Sequence, residues 1–158
     1  GQRQACQHQY VTDSLLHRVR LRARSLCEYC HTNERWQYVR FTIDHLTATS
    51  EGGEDEFENL ALACFHCNRR KSDKLVALDA QTGQMLPLFN PRFHSWAEHF
   101  IWSPDGLRII PLTAIGSATA DLLELNRERI LRIRAADVSV HRHPPEGDPI
   151  QKQAEGDK

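Results

Sequence analysis

Cys27-Glu28-Tyr29-Cys30 and Cys64-Phe65-His66-Cys67 are two thiol pairs with two residues inside each, and no other feature constrains the fold as much. A Cys-x-x-Cys step sets both sulfurs on one knuckle, and two knuckles close a tetrahedral Zn²⁺ site with bonds of about 2.3 Å. Two disulfides are the competing reading. A disulfide across so short a step closes a tiny, strained loop. Nothing in the sequence resembles a signal peptide or an apolar transmembrane run. A redox role is the third reading, but two copies without a βαβ context argue for metal. The expectation is one structural Zn²⁺ on Cys27, Cys30, Cys64 and Cys67 in a reducing compartment, hence a cytoplasmic protein with no membrane partner. Cys6, the odd thiol, reads as a terminal cysteine.

The chain has 158 residues, which suits one domain, or a small module with an extension, burying a modest core. A net charge of −1 does not advertise a nucleic-acid binder. The charges are segregated, however. Arg18, Arg20, Arg22 and Arg24 form one basic run, and Arg69, Arg70, Lys71 and Lys74 another. Glu51, Glu54, Asp55, Glu56 and Glu58 gather between them. A neutral protein can therefore still carry a basic face, although such runs are more often solvated surface.

The patterning describes an α+β chain. Thr12 or Asp13 can cap a helix reaching Leu26, with Leu15, Leu16, Val19 and Ala23 along one face. Residues 36–45 alternate Val39, Phe41 and Ile43 against Arg40, Thr42 and Asp44, a strand with one buried face. An acidic loop bending at Gly52-Gly53 follows, then a short strand over 58–63 and a helix over 65–74. Two hairpins are predicted beyond it, one turning at 79–83 and one at Ser103-Pro104-Asp105-Gly106, with a short helix over 93–100 between them. A helix over 117–136 carries Leu122, Leu125, Ile130 and Ile133. The expected organisation is a module over 12–80, an extension over 81–138 packed on it, and a disordered Pro- and Gly-rich tail over 139–158.

Asp44 and His45 end the first strand, where neighbouring side chains point to opposite faces. Asp44 can then hold a metal while His45 stays off it as a base. Asn68, one position past the second knuckle, offers a second oxygen. Carboxylate, amide oxygen and water are ligands that Mg²⁺ or Mn²⁺ prefers. Such a metal neutralises a phosphate and stabilises a leaving oxyanion, while His45 takes a proton from water. A lone Asp-His pair or a lone Asn carries little; their order between and after the knuckles makes the case.

Residues 27–73 resemble the HNH endonuclease family, whose ββα-metal motif reads Cys-x-x-Cys, Asp-His, Gly-Gly, Asn-Leu, Cys-x-x-Cys-Asn and a nearby Lys. Here these are Cys27 and Cys30, Asp44-His45, Gly52-Gly53, Asn59-Leu60, Cys64 and Cys67 with Asn68, and Lys71. The resemblance implies that Asp44 and Asn68 bind the catalytic divalent metal and that His45 is the general base. It implies that Asn59 bonds across the loop so that His45 faces the phosphate. Asn68 stands where others in the family have His, which biases the site toward Mg²⁺ or Mn²⁺. The usual proline after Asp-His is missing, with Thr47-Ala48 in its place. Residues 86–134, including Leu88-Phe89-Asn90-Pro91-Arg92, Trp96 and Trp102, resemble the extension on some short bacterial HNH proteins.

Two functions follow. The first is a metal-dependent DNA endonuclease or nickase acting on double-stranded DNA, with Arg18, Arg20, Arg22, Arg24, Arg69, Arg70 and Lys71 as candidate phosphate contacts. The second is a zinc-stapled binding module without catalysis, which has no reason to keep Asp44, His45 and Asn68 together. Hydrolysis of RNA is a third reading. His66 is expected beside the zinc site rather than in it, His94 and His99 as structural histidines, and Trp96 and Trp102 in a core.

Overall fold

The computed structural model describes residues 11–154. The chain divides into two compact units, Gly1–Asn68 and Arg69–Lys158, with the division inside a helix. Cys6 lies outside the described residues.

In the first unit, helix α1 (Asp13–Ala23) starts where Thr12 Oγ1 accepts from the Leu15 N–H at 3.2 Å. It ends at Arg24, whose left-handed backbone returns its N–H to the carbonyls of Arg20 and Leu21. Val19 and Ala23 are buried, and the helix packs against strand β2 (Leu60–Ala63). Strand β1 (Thr42–His45) pairs antiparallel with β2, Thr42 opposite Ala63 and His45 opposite Leu60. Helix α2 (Phe65–Lys71) follows without a loop, giving two strands and a helix.

The expected strand over 36–45 is therefore corrected to four residues. Its partner is only four residues long, and the Phe41 N–H is taken at 2.7 Å by the Glu34 carboxylate instead of by a strand. The anticipated buried face also fails at Val39, which is 68% exposed, while Asp44 on the supposed polar face is buried. Helix α2 stops short of residue 74, because Ser72 takes a left-handed backbone at φ 51°.

The second unit holds two antiparallel hairpins, β3 (Val76–Leu78) with β4 (Met85–Pro87) and β5 (Phe100–Trp102) with β6 (Ile109–Pro111). Both predicted turns are present. The first is tied by the Asp79 carboxylate, which accepts from the Thr82 hydroxyl at 2.7 Å. In the second, Asp105 accepts from the Ser103 hydroxyl at 2.6 Å and from the Leu107 N–H at 3.0 Å. Helix α3 is a single turn (Trp96–His99). Phe89, Phe100, Trp96 and Trp102 stack in sequence with centroids 5.3 to 5.7 Å apart, so both tryptophans are core residues. His94 Nδ1 accepts from the Asn90 N–H at 2.9 Å, and His99 Nδ1 lies 2.5 Å from the Thr113 hydroxyl.

Two further expectations are overturned here. The helix over 117–136 is two helices, α4 (Ala114–Leu123) and α5 (Glu128–Ser139), broken at Glu124 with φ 49°. The break lets Asn126 bond both the N–H and the C=O of Ile109 at 2.8 Å. It also exposes the Leu125 carbonyl to buried Arg134, which donates to it at 2.8 Å and lies over Trp102. The tail expected to be disordered is hydrogen-bonded through the described residues. The Trp102 N–H donates to the Pro149 carbonyl at 3.0 Å, the Gln151 N–H to the Trp102 carbonyl at 2.8 Å, and the Trp102 indole N–H to Asp148 at 2.9 Å. Low apolar content did not prevent order, because the segment meets a strand edge whose backbone groups need partners.

Candidate metal and nuclease site

The four cysteines come from a knuckle after α1 and from the junction of β2 with α2, and all are buried and free of disulfides. Their Sγ atoms lie within 4.8 Å of one another, with Cys30 and Cys64 at 3.8 Å. An ideal tetrahedron with Zn–S bonds of about 2.3 Å has edges of about 3.8 Å, so the donors fit one Zn²⁺. Burial, together with contact with Cys30, pushes the Cys27 thiol well up. Contact with Cys27 and the other two thiols holds Cys30 well below its ordinary value. Cys67 is pushed up by Cys27 and the other thiols. Such a set cannot carry four charges in a dry interior by itself, and a divalent cation removes the conflict. His66 is not among the clustered donors.

The first knuckle also organises the hairpin. The Glu28 N–H donates to the Leu62 carbonyl and the Glu28 carboxylate accepts from the Leu62 N–H, both at 2.8 Å. Tyr29, between the two zinc-type cysteines, donates its hydroxyl to Asp44 Oδ2 at 2.5 Å. Burial, then the charge of Asp44, pushes the Tyr29 hydroxyl well up, so it stays protonated and donating. Asp44 thus sits buried on β1 with one oxygen held. Thr42 precedes it by two residues and shares its face of the strand. The Asn68 Nδ2 donates to the Thr42 hydroxyl at 2.7 Å, which brings the first turns of α2 to that face. Asp44 and Asn68 are thus each held by a different hydroxyl, that of Tyr29 and that of Thr42.

His45 makes a different contact. Its Nε2 lies 2.6 Å from Asp55 Oδ1, with both side chains about three-quarters covered. The loop that carries Asp55 is stapled by Asn59. The Asn59 Oδ1 accepts from the Thr47 N–H at 2.8 Å, and its Nδ2 donates to the carbonyls of Thr47 and Glu54 at 3.1 and 2.9 Å. Asn59 also lends its backbone carbonyl to the Leu46 N–H at 2.9 Å. Gly53 is required there, because a Cβ would meet the Thr47 carbonyl oxygen at 1.8 Å.

The basic residues separate into distinct groups. Arg20 pairs with Glu34 through two bonds at 2.8 and 3.2 Å. Arg22 donates to the Phe57 carbonyl at 2.7 Å and to the Leu60 carbonyl, with its guanidinium over the Phe57 ring at 3.9 Å. Those two brace the fold. Arg18, 4.4 Å from the Phe57 centroid, and Arg24 are exposed. In the second unit Arg69 is exposed, Lys71 is buried, and Arg70 donates to the Leu122 carbonyl at 2.9 Å.

Sequence reasoning missed Tyr29 and Asp55. Tyr29 was visible only as a filler residue of the knuckle, and Asp55 as one of five acids in a loop. No spacing rule marks either, since both contacts span ten or more residues of chain.

Residues 27–74 match the family model described as HNH endonuclease, which is just under a third of the chain. The segment, two antiparallel strands and a helix with four clustered cysteines, is similar to an HNH module, and that likeness implies nuclease-type or nucleic-acid-binding function. Neither a search of curated proteins nor a search of solved structures found a match. Among the described residues no helix is long and apolar enough to cross a membrane.

Proposed function

We propose that the protein is a metal-dependent endonuclease or nickase that hydrolyses phosphodiester bonds of double-stranded DNA. The observation that carries this reading is the convergence at one strand. Tyr29 bonds Asp44, Thr42 two residues earlier on β1 bonds Asn68, and His45 follows Asp44 directly with its Nε2 against Asp55. A pure binding module has no use for a buried carboxylate and an anchored imidazole on adjacent residues. The Asp44 carboxylate and the Asn68 amide oxygen would hold Mg²⁺ or Mn²⁺, whose charge neutralises the phosphate and stabilises the leaving oxygen. His45 accepts a proton as water attacks phosphorus, a new P–O bond forms and the bond to the sugar oxygen breaks, leaving a phosphate monoester and a free hydroxyl. Asn59 holds the loop, and the exposed guanidiniums of Arg18, Arg24 and Arg69 neutralise backbone phosphates.

A plasmid-nicking assay tests this on protein that retains its zinc. Cutting should require added Mg²⁺ or Mn²⁺ and stop with EDTA. His45→Ala should lose about 10²- to 10⁴-fold in rate with zinc content and DNA affinity kept. Asp44→Ala and Asn68→Ala should lose activity that higher metal concentration partly restores. A His45→Ala protein that cuts normally would return the chain to the zinc-stapled binding class.

A further inference from the structure

We infer that Asp55 is the positioning residue for the proposed base, and that the atom of His45 which takes the proton is Nδ1. The inference rests on the hydrolytic reading above and deepens it. A carboxylate is only an acceptor, so the 2.6 Å contact between Asp55 Oδ1 and His45 Nε2 requires the hydrogen to sit on Nε2. A neutral imidazole with its hydrogen there carries the lone pair on Nδ1. Nδ1 has no hydrogen-bond partner among the described residues, and a quarter of the side chain is exposed.

The loop is built to place this carboxylate. Asn59 Nδ2 binds the Glu54 carbonyl, the backbone unit next to Asp55, and the same side chain grips the Thr47 N–H and C=O two residues after His45. One amide therefore ties the segment leaving His45 to the segment carrying Asp55. Gly53 allows the two to close, with no room for a side chain against Thr47. Asn59 thus aims His45 through Asp55, without itself touching the ring. The remaining loop acids, Glu51, Glu54, Glu56 and Glu58, are exposed, whereas Asp55 is largely covered. The position, and not the general acidity of the loop, is what matters.

The test uses the full chain with zinc bound. Long-range ¹H–¹⁵N correlation spectra of histidine-labelled protein, with the His45 signals identified by their loss in His45→Ala, should show the Nε2–H tautomer in the wild type. Asp55→Ala should lower kcat by roughly 10- to 100-fold, leave KM for DNA and zinc content unchanged, and mix the tautomers. Asp55→Asn should be at least as damaging, because its amide can donate to Nε2 and favour hydrogen on Nδ1. A residue serving only loop stability would rank these variants the other way, with Asn mild. A wild-type His45 carrying its hydrogen on Nδ1, or an Asp55→Ala protein cutting at the wild-type rate, overturns the assignment. Normal cutting by His45→Ala would instead overturn the hydrolytic reading, and the wild-type tautomer would still decide where Asp55 holds the ring.

Discussion

Tyr29 couples the zinc knuckle to the carboxylate beside it. Its hydroxyl is the bond that a buried Asp44 gains in exchange for water, so Tyr29→Phe should cost about 1–3 kcal/mol of stability in a denaturant melt. If Asp44 holds the proposed catalytic metal, Tyr29→Phe should also weaken activation by Mg²⁺ by about 10- to 100-fold, because a ligand without its outer partner is less well aimed. Unchanged metal dependence would show that Tyr29 only fills space. Glu34 is the other coupled carboxylate. Burial pushes it up, but the Arg20 guanidinium and the Phe41 N–H prevail and hold it below its ordinary 4.5. A depressed carboxylate contributes stability above its unfolded-state value and loses it as pH falls through the folded-state value. Glu34→Gln should therefore cost on the order of 1 kcal/mol at neutral pH. That gap to wild type should narrow in melts as pH falls below 4.5 and close once pH is below the lowered folded-state value. A gap that persists in acid would place the effect in packing.

The loop between β1 and β2 can be probed by its two glycines, which fail for different reasons. Gly52 has φ +88° and nothing within 4 Å of the place a Cβ would take, so Gly52→Ala meets only the left-handed backbone penalty of about 1–2 kcal/mol. Gly53 faces the Thr47 carbonyl at 1.8 Å, so Gly53→Ala must move backbone and should cost more, with a larger loss of nicking because His45 and Asp55 then separate. Equal effects in thermal melts would contradict this. The elements themselves were legible to different depths. Thr12 as a cap and the Asp-rich turns were readable because local side chains make those bonds. The single helix over 117–136 was not, because its break serves Ile109 and Arg134, contacts that no helical period encodes.

At the scale of the whole chain, zinc should matter to one unit more than the other. All four cysteine ligands lie at or before residue 67, whereas the second unit has its own core of Phe89, Phe100, Trp96, Trp102 and Ile109. Metal binding in so small a module is folding free energy, on the order of 10 kcal/mol. Chelation should therefore erase amide-exchange protection of β1, β2 and α1, while amides of β5, β6 and α5 stay protected. Equally deep loss in both regions would refute the division. The fall of DNA affinity with salt should follow the few exposed guanidiniums and be shallower than the full basic runs suggest, because Arg20 and Arg22 are bonded within the fold.

Legible in the sequence alone were the features that depend on spacing: the two knuckles, the strand–loop–strand–helix order, and the positions of Asp44, His45, Asn59 and Asn68 along it. Thiol pairs and turn residues act over a few positions, so their pattern is written locally. Tertiary structure decided which charges are structural and which are free, and that Tyr29 holds Asp44 and Asp55 holds His45. It also decided that the Pro-rich tail lies along Trp102. Those choices depend on which donors and acceptors are left unpaired once strands and helices have formed, and that inventory exists only in the folded chain.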